Sequence, residues 1–180
     1  MSRGDVTGVL LVGGASTRFG SPKALALFRG ETLAERAWRI LGESFDTRLA
    51  VGKGELELPF GVIVEPPEPR APLVGVIAGL RAAATDTSVF LPVDCPLVTP
   101  ALLRELGASD AVTQTGPLPG AYSKADLPEL ERRLTSGDWS LCGVNPRVVE
   151  ADPRLLSNVN TAAELSALEQ HLTALDEHEA

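Results

Sequence analysis

An apolar run that stops on a pair of glycines constrains this chain more than any other feature. Val6-Thr-Gly-Val-Leu-Leu-Val12 is followed by Gly13-Gly14-Ala15-Ser16-Thr17-Arg18-Phe19-Gly20-Ser21-Pro22-Lys23. A short run rich in Val and Leu reads as a strand buried on both faces, which needs packing partners above and below its sheet. The loop that leaves it carries three glycines, two hydroxyls before an arginine, and then a lysine. Glycine lets backbone N–H groups approach phosphate oxygens with no Cβ in the way. Arg18 and Lys23 add charge-assisted donors. The loop is read as a triphosphate cradle, against the plainer alternative of a tight turn with an exposed Arg and Lys. It is neither of two better-known phosphate loops. A P-loop needs Gly-Lys-Ser/Thr, but Gly20 is followed by Ser21. The dinucleotide fingerprint needs G-x-G-x-x-G, but after Gly13-Gly14 the next glycine is Gly20.

The rest of the chain alternates between the two secondary-structure periods. Thr32-Leu-Ala-Glu35 has capping-box spacing and opens a helix with apolar Leu33, Ala37, Ile40 and Leu41. Residues 47–51 read as a second strand and 61–65 as a third. The proline-dense stretch Glu65 to Pro72 excludes a regular helix or a central strand and reads as a stiff active-site loop. A helix follows with Leu73, Val76, Ile77, Leu80 and Ala84 at its spacing. Residues 88–93 read as a buried strand ending at Asp94. Thr99-Pro100 opens the next helix with an N-cap and a proline at its first position. Residues 110–115 are a strand candidate, Asp126 is read as the cap of a helix ending near Gly137, and Val148-Val149 as a short strand. A second capping box, Thr161-Ala-Ala-Glu164, opens the last helix, with Leu165, Leu168, Leu172 and Leu175. Strand–helix alternation predicts a single α/β domain over residues 1–180. It has three layers and a mostly parallel sheet. Such sheets bind ligands beyond the carboxyl ends of their strands.

Composition narrows the function. The chain has 180 residues and a formal net charge of -8, with 44% hydrophobic residues. That suits a folded domain and argues against nucleic-acid or anionic-membrane binding, which needs a basic footprint. The two cysteines, Cys95 and Cys142, form no CxxC or disulfide spacing, so a reducing compartment fits. No apolar stretch is long enough to span a bilayer. The expectation is a cytoplasmic protein, a monomer or weak homo-oligomer.

Five ordered landmarks resemble one family. Leu11-Val-Gly-Gly-Ala-Ser-Thr-Arg-Phe-Gly-Ser-Pro-Lys23 is similar to the L-A-G-G-x-S-x-R-M-G-x-x-K signature of nucleotidyltransferases, and more narrowly to the molybdenum cofactor guanylyltransferases (MobA). Ala71-Pro-Leu-Val-Gly75 resembles the family's G-P-L-A-G, and Leu91-Pro-Val-Asp-Cys-Pro96 its C-x-C-D-x-P. Pro117-Leu-Pro-Gly-Ala-Tyr122 resembles H-P-L-x-x-x-Y, with the segment 114–117 shortened, and Asn158-Val-Asn-Thr161 resembles N-I-N-T. The resemblance implies a Rossmann-like fold that binds GTP and Mg²⁺ and an enzyme that joins GMP to the terminal phosphate of molybdopterin. By position it implies that Leu11, Val12, Gly13 and Gly14 line the nucleotide. Gly52 stands near a position that is Asn in some members, and Glu65 where Asp is usual. It implies that Lys23 binds the phosphates with Arg18, that Asp94 holds nucleotide and Mg²⁺, and that Asn158 and Asn160 lie beside the acceptor.

The residues alone favour the same chemistry. Asp94 at a strand's carboxyl end is a hard oxygen ligand for Mg²⁺, with a turn carboxylate as the alternative. The catalytic set is read as Lys23, Arg18 and Asp94. A phosphate-monoester acceptor needs no strong general base, in keeping with a chain whose histidines, His171 and His178, sit on or past the last helix. Rival readings remain at this point. They are cytidylyl transfer to the same pterin, guanylyl transfer to another small phosphate, and a nucleotide-binding adaptor without catalysis. Cys95 is read as a packing residue, Trp38 as core or groove, and Tyr122 as either an acceptor contact or a buried anchor.

Overall fold

The structure, a computed structural model, describes residues 2–13, 22–54 and 56–179, the last three as backbone only. Gly14 and Arg18 therefore lie outside the described residues. Strand β1 (Val6–Leu11) is buried along its whole length. It has parallel neighbours on both sides. These are β4 (Thr47–Gly52), with β5 (Val62–Val64) beyond it, and β6 (Thr87–Pro92). Between β1 and β4 stand a small hairpin, β2 (Leu27–Phe28) with β3 (Glu31–Thr32), and helix α1 (Leu33–Ser44). Helix α2 (Pro72–Ala82) joins β5 to β6, and α3 (Pro100–Ser109) follows β6. The far side of the sheet is built from β7 (Val112–Thr113), β8 (Gly116–Ser123) and β9 (Val148–Val149), in the order β5-β4-β1-β6-β8-β7-β9. Only the β6–β8 and β8–β7 pairs are antiparallel, so the sheet is mostly parallel as expected.

Side chains alternate across the sheet and build two cores. Leu10, Ala50, Val89 and Leu91 face α1 and α3, whereas Val9, Leu11, Val51 and Phe90 face α2 and α4 (Leu127–Ser136). Local chemistry starts the helices. Thr32 and Glu35 form the reciprocal capping box of α1. The Thr99 hydroxyl accepts the Leu102 N–H at 3.3 Å ahead of α3. Thr161 accepts the Glu164 N–H at 3.1 Å and opens α5 (Ala162–Glu179). Gly137, with φ +80°, ends α4 in a left-handed conformation that glycine adopts without strain.

Two expectations change. Asp126 stands at the N-cap position of α4, as expected, but its side chain makes no capping bond to that helix. Its carboxylate accepts from the Ser123 N–H at 2.7 Å and closes the 3-10 turn before that helix. The expected strand 110–115 shrinks to two residues, because Asp110 takes a left-handed φ of +47° to end α3. Residues 116–123, assigned to no element from the sequence, form β8 inside the sheet. Its prolines are tolerated because pairing with β6 runs from Gly120 to Ser123, so Pro117 and Pro119 lie outside that ladder. Tyr122 is the buried anchor. It is fully enclosed, packs edge-on to Phe90, and donates its hydroxyl to the Pro117 carbonyl at 2.9 Å.

No described helix is long and apolar enough to cross a membrane.

Candidate nucleotide site

The chain moves out from β1 to β4 and β5, then returns to the opposite side of β1 with β6. That reversal opens a crevice at the carboxyl ends of β1 and β6, the place where open α/β sheets bind ligands. The ladder runs one residue past each strand. The Val12 N–H donates to the Val51 carbonyl at 2.9 Å, the Val93 N–H to the Leu11 carbonyl at 3.1 Å, and the Glu65 N–H to the Gly52 carbonyl at 2.8 Å. Gly13, Gly52, Glu65 and Asp94 are thus held at the same end of the sheet by backbone bonds.

On the β6 side, the expected residues converge. Lys23 stands at the end of the glycine loop, and its Nζ lies 3.1 Å from Asp94 Oδ2 and 3.4 Å from Asn160 Oδ1. The two side chains of the ion pair keep 17% and 24% of their surface exposed. The Val159 N–H donates to the Asp94 carbonyl at 2.9 Å, which seats Asn158 and Asn160 beside the aspartate. Asn158 is oriented by the buried Cys95, whose Sγ lies 3.0 Å from Asn158 Oδ1. Burial pushes the Cys95 thiol far up, with the neighbouring Asp94 adding to the shift, so it is a neutral donor. The packing role expected of Cys95 therefore includes a hydrogen bond.

A missed contributor is Arg36 on α1. Its Nε donates to the Pro96 carbonyl at 2.7 Å while Nη1 pairs with Glu31 at 2.9 Å. It braces the turn that carries Asp94. Nothing in a helix-face arginine announces this from sequence.

On the β4 and β5 side a second pair was also half missed. Glu65 is 6% exposed, and Lys53 lies 3.5 Å from its Oε1. Burial raises the Glu65 carboxyl above its ordinary range, and Lys53 opposes that shift. Glu65 Oε2 is buried with no hydrogen-bond partner among the described residues. The carboxylate explains two glycines. A Cβ on Gly13 would lie 3.0 Å from Oε1, and one on Gly75 3.2 Å from Oε2. Gly13 thus leaves room for the Glu65 carboxylate. A Cβ on Gly52 would come within 2.7 Å of Val12, so a side chain there would need strand ends to shift. The available sequence signal for Lys53 was a cation directly after β4, facing an acid directly after β5.

Among the described residues no group of three or more His, Cys, Asp or Glu gathers to cage a metal. A single partly exposed carboxylate, Asp94, fits Mg²⁺, which typically takes one or two carboxylates and completes its shell with water and substrate phosphates.

A cation–carboxylate pair at the switch point of a doubly covered parallel sheet is the arrangement of an α/β protein that handles nucleotides or phosphates. Residues 8–144 match the MobA-like NTP transferase domain, and the chain belongs to that family of nucleotidyltransferases. It is 31% identical to the probable molybdenum cofactor guanylyltransferase of Bacillus subtilis, over 93% of this chain and 96% of that one. It is 32% identical to the molybdenum cofactor guanylyltransferase of Burkholderia vietnamiensis, over 91% and 95%. The crystal structure of molybdopterin-guanine dinucleotide biosynthesis protein A from Archaeoglobus fulgidus shares the fold. Its TM-score is 0.75 at 22% identity, covering 93% of this chain and 99% of that one.

Proposed function

We propose that this enzyme transfers GMP from GTP to the terminal phosphate of molybdopterin and releases pyrophosphate. The observation that carries the reading is the Lys23–Asp94 pair in the crevice, flanked by Asn158 and Asn160. An oxygen of the acceptor phosphate attacks the α-phosphorus, the bond from that phosphorus to the bridging oxygen breaks, and the electron pair leaves with pyrophosphate. The acceptor's second pKa lies near 6, so at neutral pH the attacking oxygen is already largely ionised. The site then has to align reactants and offset charge.

Lys23 is suited to the leaving pyrophosphate, and the sequence assigns Arg18 and the N–H groups of Gly13 and Gly14 to the same task. Asp94 would hold Mg²⁺, which when bound supplies charge neutralisation at the phosphates. With a cation and phosphates present, Lys23 exchanges its carboxylate partner for phosphate oxygens. Asn158 and Asn160 lie on the acceptor side. Leu11, Val12 and Gly52 offer the base and ribose mainly backbone groups. Glu65 lies on the opposite side of Gly13 from Asp94. Its carboxylate is closed off by Gly13, Gly75 and Lys53, so it shapes the base side of the site and does not meet the phosphates.

Pyrophosphate release with each of the four nucleoside triphosphates and the pterin acceptor tests this. Release with GTP is expected. Release with CTP in preference makes the enzyme a cytidylyltransferase, and binding without release makes it an adaptor.

A further inference from the structure

The Lys53 side chain does more than balance a buried acid. Its Nζ donates to the Pro66 carbonyl at 2.8 Å and to the Pro69 carbonyl at 3.0 Å, while Glu65 Oε1 stands at 3.5 Å. An ammonium has three donors; here two meet carbonyls, and the charge faces the Glu65 carboxylate at ion-pair distance. The loop it ties down, Glu65-Pro-Pro-Glu-Pro69, is poor in donors of its own because proline has no N–H. Lys53 follows the end of β4 directly, so it is anchored on a strand rather than on the loop it holds.

We propose that Lys53 is a positioning residue that sets base selection: it locks the Glu65 carboxylate and the 66–69 loop into the wall against which the nucleobase is read. The inference rests on the nucleotide-site reading above, and it concerns the base alone. Lys53 spends its donors on Glu65 and the loop, on the side of Gly13 away from the Lys23–Asp94 pair. Without the ammonium, Glu65 loses its counter-charge and the two proline carbonyls lose their donor. The wall then relaxes, while the phosphate subsite keeps its own residues.

The test is equilibrium binding of GTP, CTP and inorganic tripolyphosphate, each with Mg²⁺. The proteins are the wild type, Lys53→Met, Lys53→Arg and the double variant Lys53→Met/Glu65→Gln, each checked for folding by circular dichroism. Lys53→Met should weaken GTP roughly tenfold and narrow the GTP/CTP ratio, as loss of a charged hydrogen-bonding partner allows. Tripolyphosphate, which has no base, should bind Lys53→Met as it binds the wild type. Lys53→Arg should restore part of the ratio. The double variant removes the unpaired charge, so it should fold even if Lys53→Met does not, and it should still lack selectivity.

Equal weakening of tripolyphosphate and GTP would overturn the inference, since Lys53 would then act on phosphate charge. An unchanged base ratio in a folded variant would overturn it as well. A wild type that prefers CTP sinks the guanylyl reading alone; the role of Lys53 then stands if the variant narrows that preference and falls if it does not. A wild type with no base preference overturns both.

Discussion

Two lysine–carboxylate pairs stand at the same end of the same sheet, and they differ in what surrounds them. Lys23–Asp94 bridges the crevice at 3.1 Å with both side chains still partly open to solvent. Lys53–Glu65, at 3.5 Å, seals its carboxylate between two glycines and under a proline loop. The first pair can be dissolved by an arriving cation and triphosphate, because each partner gains an equivalent one. The second has no such exchange open to it and forms part of the wall. On the proposed reading the same charge chemistry serves transfer in one place and shape in the other, and burial of the carboxylate is the difference.

The largest effect should come from the open pair. Asp94→Ala should lower pyrophosphate release on the order of a thousandfold or more while the fold persists, because the metal's protein ligand is lost. Near-normal turnover with Mg²⁺ would remove the distinction between the pairs. Lys23→Ala should weaken both GTP binding and rate by roughly a hundredfold, and Lys23→Arg should recover only part of it, since a planar fork does not replace a point charge. If Lys23→Ala turns over normally, Lys23 is an ordinary surface cation.

Stability should separate the pairs in the opposite order. Lys53→Met leaves a buried carboxylate without its counter-charge and should cost about 2 kcal/mol. Lys23→Ala should cost less than that, because the two lysines are equally enclosed but Asp94 keeps 24% of its side-chain surface exposed and can be solvated, whereas Glu65 keeps 6%. Chemical denaturation of both variants checks this, and equal losses would mean that burial does not distinguish them. Gly13→Ala lies between the two regions. Its methyl group would press on Glu65 Oε1, so GTP activity should fall more than CTP activity, by roughly tenfold in the ratio of kcat/KM. An unchanged ratio would disconnect Gly13 from base choice.

These two regions were unequally legible in the sequence. The parallel half of the sheet announces itself, because strands buried on both faces read as unbroken apolar runs and capped helices carry their own start signals. Asp94 and Lys23 were visible for the same reason: each abuts a strand end or a glycine loop. Strand β8 was not, since Pro117 and Pro119 contradict a strand locally and only the register with β6 shows that they fall outside its ladder. Arg36 was hidden because its job is a hydrogen bond to a carbonyl 60 residues away. Lys53 was hidden because its partners come from a loop whose path a proline-rich composition does not reveal. Glu65 was found only by resemblance; that it is buried, and that Gly13 and Gly75 yield space to it, are facts of packing.

The smallest effect, and the one that isolates the closed pair, is the pH dependence of Glu65→Gln. Burial raises the Glu65 carboxyl above its ordinary value of 4.5 in the folded chain, even with Lys53 opposing. The folded state therefore holds this proton more tightly than the unfolded state. Its contribution to stability is complete below 4.5 and is lost as pH rises through the folded value. Glutamine cannot titrate, so it avoids burying a charge at any pH. Glu65→Gln should accordingly be slightly more stable than wild type at pH 8, and the advantage should fade as pH falls toward 4.5. Groups common to both proteins cancel in the difference. Denaturation midpoints of the two proteins from pH 5 to pH 8 decide it. A variant less stable than wild type at pH 8 would mean that the bond to Lys53 outweighs the cost of burial, and that the closed pair holds the fold together as well as shaping the wall.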